Sequence, residues 1–235
     1  MVFMLSLAIL STKSLSLRSR PYRLFSRVER KLTQNDIVDD LKKKLMNYSS
    51  TKITTTTIKN TQKIINIDID RIQRQVDEIK KLLNVADFNV DIWFCSETKI
   101  RELNDEWRGK RKSTDVLSFP ACDFTSPGKF VNDPMFEHLK HLGDIAISPL
   151  YVQRQCTKDL KLYNKNKEEY LAETDAGVSK AMSTVFDVNK RISYLIIHGM
   201  IHLLGYDHET EKQWKQMTKK EQEVLDKIHN LNIFE

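Results

Sequence analysis

His198-Gly199-Met200-Ile201-His202-Leu203-Leu204-Gly205-Tyr206-Asp207-His208 is the stretch from which the rest of the chain can be read. Two histidines four positions apart on a helix lie one turn above each other on the same face. Ile192, Leu195, Ile196 and Ile197 lead into Met200, Ile201, Leu203 and Leu204, so this helix is apolar on most sides and is expected to be buried. Buried imidazoles need partners, and one shared cation satisfies both. Gly205 accepts the positive φ that stops a helix and turns the chain back, bringing His208 round to the same point. Three neutral imidazoles with a fourth position open form the ligand set of a catalytic zinc, one ion per chain. The competing reading, three core or surface histidines without a metal, is disfavoured by the spacing and by the glycine at the bend.

The same spacing resembles the long zincin motif H-E-x-x-H-x-x-G-x-x-H, with one departure. Gly199 stands where that motif carries its general-base glutamate. The ligands are kept and the usual base of peptide hydrolysis is missing, which weighs against a metalloprotease.

At 235 residues, 40% hydrophobic and 30% charged, the chain suits one soluble domain with additions. Cys95, Cys122 and Cys156 are scattered, with no C-x-x-C, so neither a disulfide framework nor a cysteine zinc site is implied. The net charge of +6 is unevenly divided. Residues 1–62 hold 12 Lys/Arg against 4 Asp/Glu, whereas residues 63–235 hold 26 against 28. Nucleic-acid binding must therefore rest on local clusters and not on overall charge.

The N-terminal arm has the composition of a targeting sequence. No acidic residue precedes Glu29, while Lys13, Arg18, Arg20, Arg23 and Arg27 alternate with Ser and Leu. That composition favours a mitochondrial address, with a plastid or secretory signal as runner-up and a cytoplasmic protein if the arm is only a tail. The apolar run 2–10 is far too short to span a bilayer. Residues 36–61, rich in Lys, Thr, Ser and Asn, read as a linker, so residues 1–62 are expected to precede a domain over 63–235.

Within that domain, residues 63–69 read as a strand, with Asp68 or Asp70 capping a helix through Ile72, Val76, Ile79, Leu82 and Leu83. Residues 88–95 alternate as a strand, and Ser96 starts a helix through Ile100, Leu103 and Trp107. Residues 114–120 read as a strand closed by Pro120, 121–142 as a loop, and 142–148 as a strand that pairs with the previous one. Pro149 opens a helix through Val152 and Cys156. Residues 158–188 read as a charged surface insertion, Asn189 as the cap of the histidine helix, and Trp214, Met217, Val224, Leu225 and Ile228 as the core stripe of a last helix.

Trp107-Arg108-Gly109-Lys110-Arg111-Lys112 packs four cations around a glycine. Such a loop can hold phosphate through guanidinium forks and free backbone N–H groups, although a short charge run by itself is more often a solvated turn.

Residues 104–108 with 114–120, residues 142–148, and the histidine stretch together resemble the YbeY family of metal-dependent, single-strand-specific endoribonucleases of ribosomal RNA maturation. The resemblance covers most of residues 64–230. It implies an α+β fold, a small mixed sheet packed with helices, with His198, His202 and His208 on zinc and Arg108 as the functional arginine. It also raises Lys110, Arg111 and Lys112 from an incidental run to candidate RNA-phosphate contacts. With the basic arm, it implies an organellar protein acting on small-subunit ribosomal RNA, with ribosomal proteins as further partners. A base, if one is needed, must come from outside position 199; Asp207 and Glu209 lie nearby, Asp207 being the better fit to orienting a histidine or capping the last helix. The alternatives are the zincin-like protease and a non-catalytic ribosome-assembly factor with a structural metal.

Overall fold

The computed structural model describes residues 8–9, 56–130, 140–172 and 176–231. Of the expected arm and linker over residues 1–62, only 8–9 and 56–62 fall among these residues. Five strands form one mixed sheet: β1 (Ala8–Ile9), β2 (Thr56–Asn60), β3 (Asn89–Phe94), β4 (Val116–Pro120) and β7 (His141–Ile147), in the order β1-β4-β7-β3-β2. β2 and β3 run parallel, as do β3 and β7, while β4 runs antiparallel to β7 with Val116 opposite Ile147. β1 lies parallel to β4, with Ala8 opposite Leu117. β5 (Phe124–Ser126) and β6 (Lys129–Phe130) make a separate hairpin.

The helices are α1 (Ile69–Leu82), α2 (Glu97–Arg108), α3 (Pro149–Lys165), α4 (Lys167–Ala172), α5 (Gly177–Met182), α6 (Val188–Leu203) and α7 (Glu211–Asn230). Every residue of β7 is buried, because helices cover both faces of the sheet. On one face Ile145 and Ile147 join a large core with Ile196, Ile197, Met200 and Ile201 of α6. On the other, Leu117 and Ala146 pack with Ile100 and Leu103 of α2, and Trp107 meets Phe119 edge-on at 5.7 Å. A register shift between Asn89 and Val90 sets His141 opposite Asn89 and Gly143 opposite Val90, and Asp91, His141 and Asp144 then lie buried side by side.

The architecture is the expected α+β sheet with helices packed on it, and its local signals are physical. Asp68 accepts from the N–H of Arg71 and starts α1, Ser96 accepts from Lys99 N–H to start α2, and Thr210 with Gln213 forms a capping box on α7. α6 is buried on almost all sides, as its apolar run predicts.

Four expectations are corrected. The first strand of the domain is Thr56–Asn60, inside the stretch read as linker, and not 63–69. Gln62 explains the second half of that error: its Oε1 accepts from the N–H groups of Ile64 and Ile65 and its Nε2 donates to the Ile65 carbonyl, a side-chain-held turn that leaves no strand ladder. The cap of α6 is Asp187, which accepts from Lys190 N–H, while Asn189 donates to the carbonyl of Asn66. The segment 121–142 is not all loop, because it carries the β5–β6 hairpin and the start of β7. The segment 158–188 is not only surface: α3 runs through its first part, and Gly177, Val178 and Met182 of α5 are buried.

Candidate metal centre

His198 and His202 sit one turn apart on the buried face of α6, and their Nε2 atoms approach to 2.8 Å. Gly205, at φ 81°, turns the chain immediately after the helix, and a Cβ there would collide with the Phe124 ring at 2.6 Å. Gly128 of the β5–β6 hairpin donates its N–H to the Leu204 carbonyl at 2.8 Å, so the hairpin braces this turn. The turn delivers two groups. The carbonyl of Tyr206 lies 2.7 Å from His202 Nδ1, and the His208 ring lies with its centroid 5.7 Å from His198 and 5.3 Å from His202. One ligating nitrogen from each ring falls within 4.8 Å of the others.

The hydrogen bonds settle which nitrogen of His202 carries hydrogen. A carbonyl only accepts, so His202 donates from Nδ1 and presents a lone pair at Nε2. His198 Nδ1 lies 2.6 Å from Glu221 Oε1, a carboxylate on α7 that is itself buried. With Glu221 ionised, His198 also donates from Nδ1, and two Nε2 lone pairs then face each other at 2.8 Å. Only something positive that both can share makes that arrangement favourable. His208 Nε2 is buried without a hydrogen-bond partner. Burial pushes His198 down to about 3 and His202 well below its ordinary value, so these two imidazoles are neutral at pH 7, the form that coordinates metal. An all-nitrogen donor set with this geometry fits Zn²⁺ better than Mg²⁺ or Ca²⁺, which select oxygen.

Gly199 lies against the sheet. A Cβ there would sit 3.0 Å from Ile145 Cδ1 and 3.1 Å from Ser118 Oγ. The glycine lets α6 approach β4 and β7 closely, and a glutamate at 199 would be aimed into the sheet.

Arg108 closes α2 and is half-buried. Burial lowers its pKa against the pull of Glu209 and Asp207, and its charge in turn helps depress His202. The guanidinium therefore lies within electrostatic reach of Asp207, Glu209 and His202. Trp107 packed on Phe119 anchors this end of the helix, and Asn104 shapes the basic turn beyond it: its Nδ2 donates to the Lys112 carbonyl at 2.7 Å and its carbonyl accepts from Lys110 N–H at 3.2 Å. Lys110, Arg111 and Lys112 themselves are exposed, with Arg111 Nε on Asp105 at 3.1 Å.

Asp207 accepts from the backbone N–H of its neighbour His208 at 2.6 Å, and Thr210 caps α7. The carboxylate on a histidine ring is Glu221, a residue that the sequence pattern alone does not single out. A signal for it was nonetheless present: Met217, Glu221, Val224, Leu225 and Ile228 form one buried stripe, and a carboxylate within such a stripe needs a partner. Burial pushes Glu221 up to about 7, opposed by the Val178 N–H and by His208.

The fold and site define an α+β protein in which His198, His202 and His208 converge in a group that could hold a metal ion. The family described as Endoribonuclease YbeY matches residues 57–173 and 174–229, and the chain belongs to that family. A human relative named Endoribonuclease YbeY is 30% identical over 171 residues, covering 73% of this chain and 86% of its own length. Another of the same name, from Caldanaerobacter subterraneus, is 33% identical over 179 residues, covering 70% of this chain and 98% of its own. A solution structure from Thermotoga maritima covers 77% of this chain and 96% of its own at 20% identity and a TM-score of 0.40. Membership makes the chain an RNA-cleaving hydrolase. Among the described residues no helix is long and apolar enough to cross a membrane.

Proposed function

We propose that this protein is a zinc-dependent endoribonuclease that cuts single-stranded RNA during small-subunit ribosomal RNA maturation, in an organelle and by preference the mitochondrion. The observation that carries the reading is the convergence of three histidine nitrogens beside the Arg108 charge, with no carboxylate among the ligands. RNA cleavage breaks a P–O bond through a transition state that gathers negative charge on the phosphoryl oxygens. His198, His202 and His208 would hold the zinc ion, which would supply Lewis acidity to those oxygens.

The chain's own residues do the rest. Arg108 offers a planar fork to the phosphate, and its half-buried position strengthens the attraction. Glu221 and the Tyr206 carbonyl hold the two helical rings with Nδ1 turned away from the centre. Lys110, Arg111 and Lys112 extend the positive surface from Arg108 and concentrate polyanion.

The protease alternative is disfavoured by the contacts at Gly199, because a base at that position would point at Ser118 and Ile145. Ribosomal proteins are proposed as further partners. The basic arm supports the organellar address through its Arg- and Ser-rich, acid-poor composition.

The test uses the purified full chain with three substrates: an unstructured RNA oligonucleotide, its duplex, and casein. The expected result is cleavage of the single strand, little of the duplex and none of casein. Chelator-sensitive cleavage of casein with intact RNA would overturn the proposal. A reporter fused to residues 1–62 is expected in mitochondria, and a uniformly cytosolic signal would sink that part.

A further inference from the structure

We infer that Glu221 is a positioning residue for the metal centre and that Gly177 and Val178, where α5 begins, hold it in place; the inference rests on reading His198, His202 and His208 as metal ligands. Glu221 stands on α7, buried among the α5, α6 and α7 side chains, and each of its oxygens has a different donor. Oε1 meets His198 Nδ1 at 2.6 Å, and Oε2 accepts from Val178 N–H at 3.0 Å. Only a carboxylate accepts at both ends. It thereby fixes the hydrogen of His198 on Nδ1 and leaves the Nε2 lone pair for the metal.

Glutamine shows why the charge pattern is needed. Its amide offers one acceptor and one donor end. If the NH₂ end faces His198, the ring hydrogen moves to Nε2 and the ligand is blocked. If it faces Val178, two N–H donors oppose each other in a buried site.

Gly177 provides the space. Its φ is 64°, and a Cβ there would fall 2.2 Å from Glu221 Oε2 and 3.2 Å from Glu221 Cβ. No side chain fits at 177 while the carboxylate holds its position. The last part of the 158–188 segment, which the sequence presents as a charged insertion, therefore walls the histidine site through its contacts with Glu221.

The experiment measures metal directly on the full chain. Zn²⁺ affinity is read by competition with a chromophoric chelator, and the ligand field by the visible absorption of the Co²⁺-loaded protein. Glu221→Gln is expected to weaken Zn²⁺ by about 10- to 100-fold, the range for losing a partner of a ligating histidine, and to alter the Co²⁺ bands. Gly177→Ala should shift both readouts in the same direction without changing any ligand or the carboxylate. Glu223→Gln, on the exposed side of α7 where it pairs with Lys220 and Lys227, should change neither. Wild-type affinity and an unchanged Co²⁺ spectrum in folded Glu221→Gln would overturn the positioning role. Failure of the wild type itself to bind Zn²⁺ or Co²⁺ would instead overturn the metal reading beneath it. Should the variants not fold, ¹⁵N shifts of the His198 ring in the Zn²⁺-loaded wild type decide the matter: hydrogen on Nδ1 is expected, and hydrogen on Nε2 would contradict the inference.

Discussion

The histidine helix and the basic turn beyond α2 are both dense in functional groups, but they are built in opposite ways. In α6 the rings of His198 and His202 are buried, and each Nδ1 has a partner, Glu221 or the Tyr206 carbonyl. In the turn, Lys110, Arg111 and Lys112 reach into solvent, and the ion pair from Arg111 to Asp105 is one in which the Arg111 side chain is 88% exposed. Arg108 stands between them, anchored by its helix yet half-buried toward the histidine loop. The difference separates two tasks. Groups that act on developing charge gain from being fixed in advance in a poorly solvated place. Groups that gather a flexible polyanion work through long-range charge and need no fixed geometry.

The comparison breaks most visibly at the rigid end. His202→Ala removes the ring whose Nε2 faces His198, so bound zinc should fall sharply and RNA cleavage should drop to the level of chelated protein. Elemental analysis with parallel cleavage assays checks both, and unchanged zinc content would exclude the site.

Arg108 comes next. Arg108→Ala should lower RNA cleavage by about 10- to 1,000-fold with fold and zinc retained, the range for losing one preorganised donor. Arg108→Lys, which keeps charge but loses the fork, should fall between that variant and wild type. Full activity in Arg108→Ala would merge Arg108 with the solvated turn and erase the boundary between the two regions.

Neutralising the turn should do least to chemistry. Lys110→Gln with Lys112→Gln is expected to raise KM for RNA a few-fold, leave kcat unchanged, and flatten the salt dependence of binding by about one unit for each phosphate no longer neutralised. A loss confined to kcat would show that the turn is part of the fixed machinery.

The smallest effect is a pH dependence of stability in the metal-free protein. Glu221 ionises near 4.5 in an unfolded chain, whereas burial raises it to about 7 in the fold. The folded state therefore keeps a proton that the unfolded chain has released. Its contribution is present below 4.5 and is lost as pH rises through about 7. Glu221→Gln removes this titration, so the variant should gain on wild type as pH rises between those limits. Chemical denaturation at several pH values checks the sign, and a difference independent of pH would refute it.

Much of this was legible in the sequence because it rests on local physics. The apolar run into His198, the glycine at 205 and the alternation of 88–95 each mark an element by its local pattern. The edge strand Thr56–Asn60 escaped because exposed Thr57, Lys59 and Asn60 give it the composition of a linker, while its pairing with β3 is a tertiary fact. Residues 62–65 misled in the opposite way, their isoleucines suggesting a strand where the Gln62 side chain makes a turn. Glu221 and α5 were hidden for a third reason: their role exists only where α5, α6 and α7 meet, and a charged stretch such as 158–188 gives no sign that Gly177 is buried against a carboxylate.

The most direct test removes and restores the metal in two versions of the full chain, wild type and His198→Ala, each presented with unstructured RNA. Wild-type cleavage should vanish with a chelator and return when Zn²⁺ is supplied in excess, and His198→Ala, folded by circular dichroism, should stay inactive throughout. Cleavage by His198→Ala at the wild-type rate, or wild-type cleavage that persists in protein shown to be free of metal, would contradict a nuclease built on the three histidines.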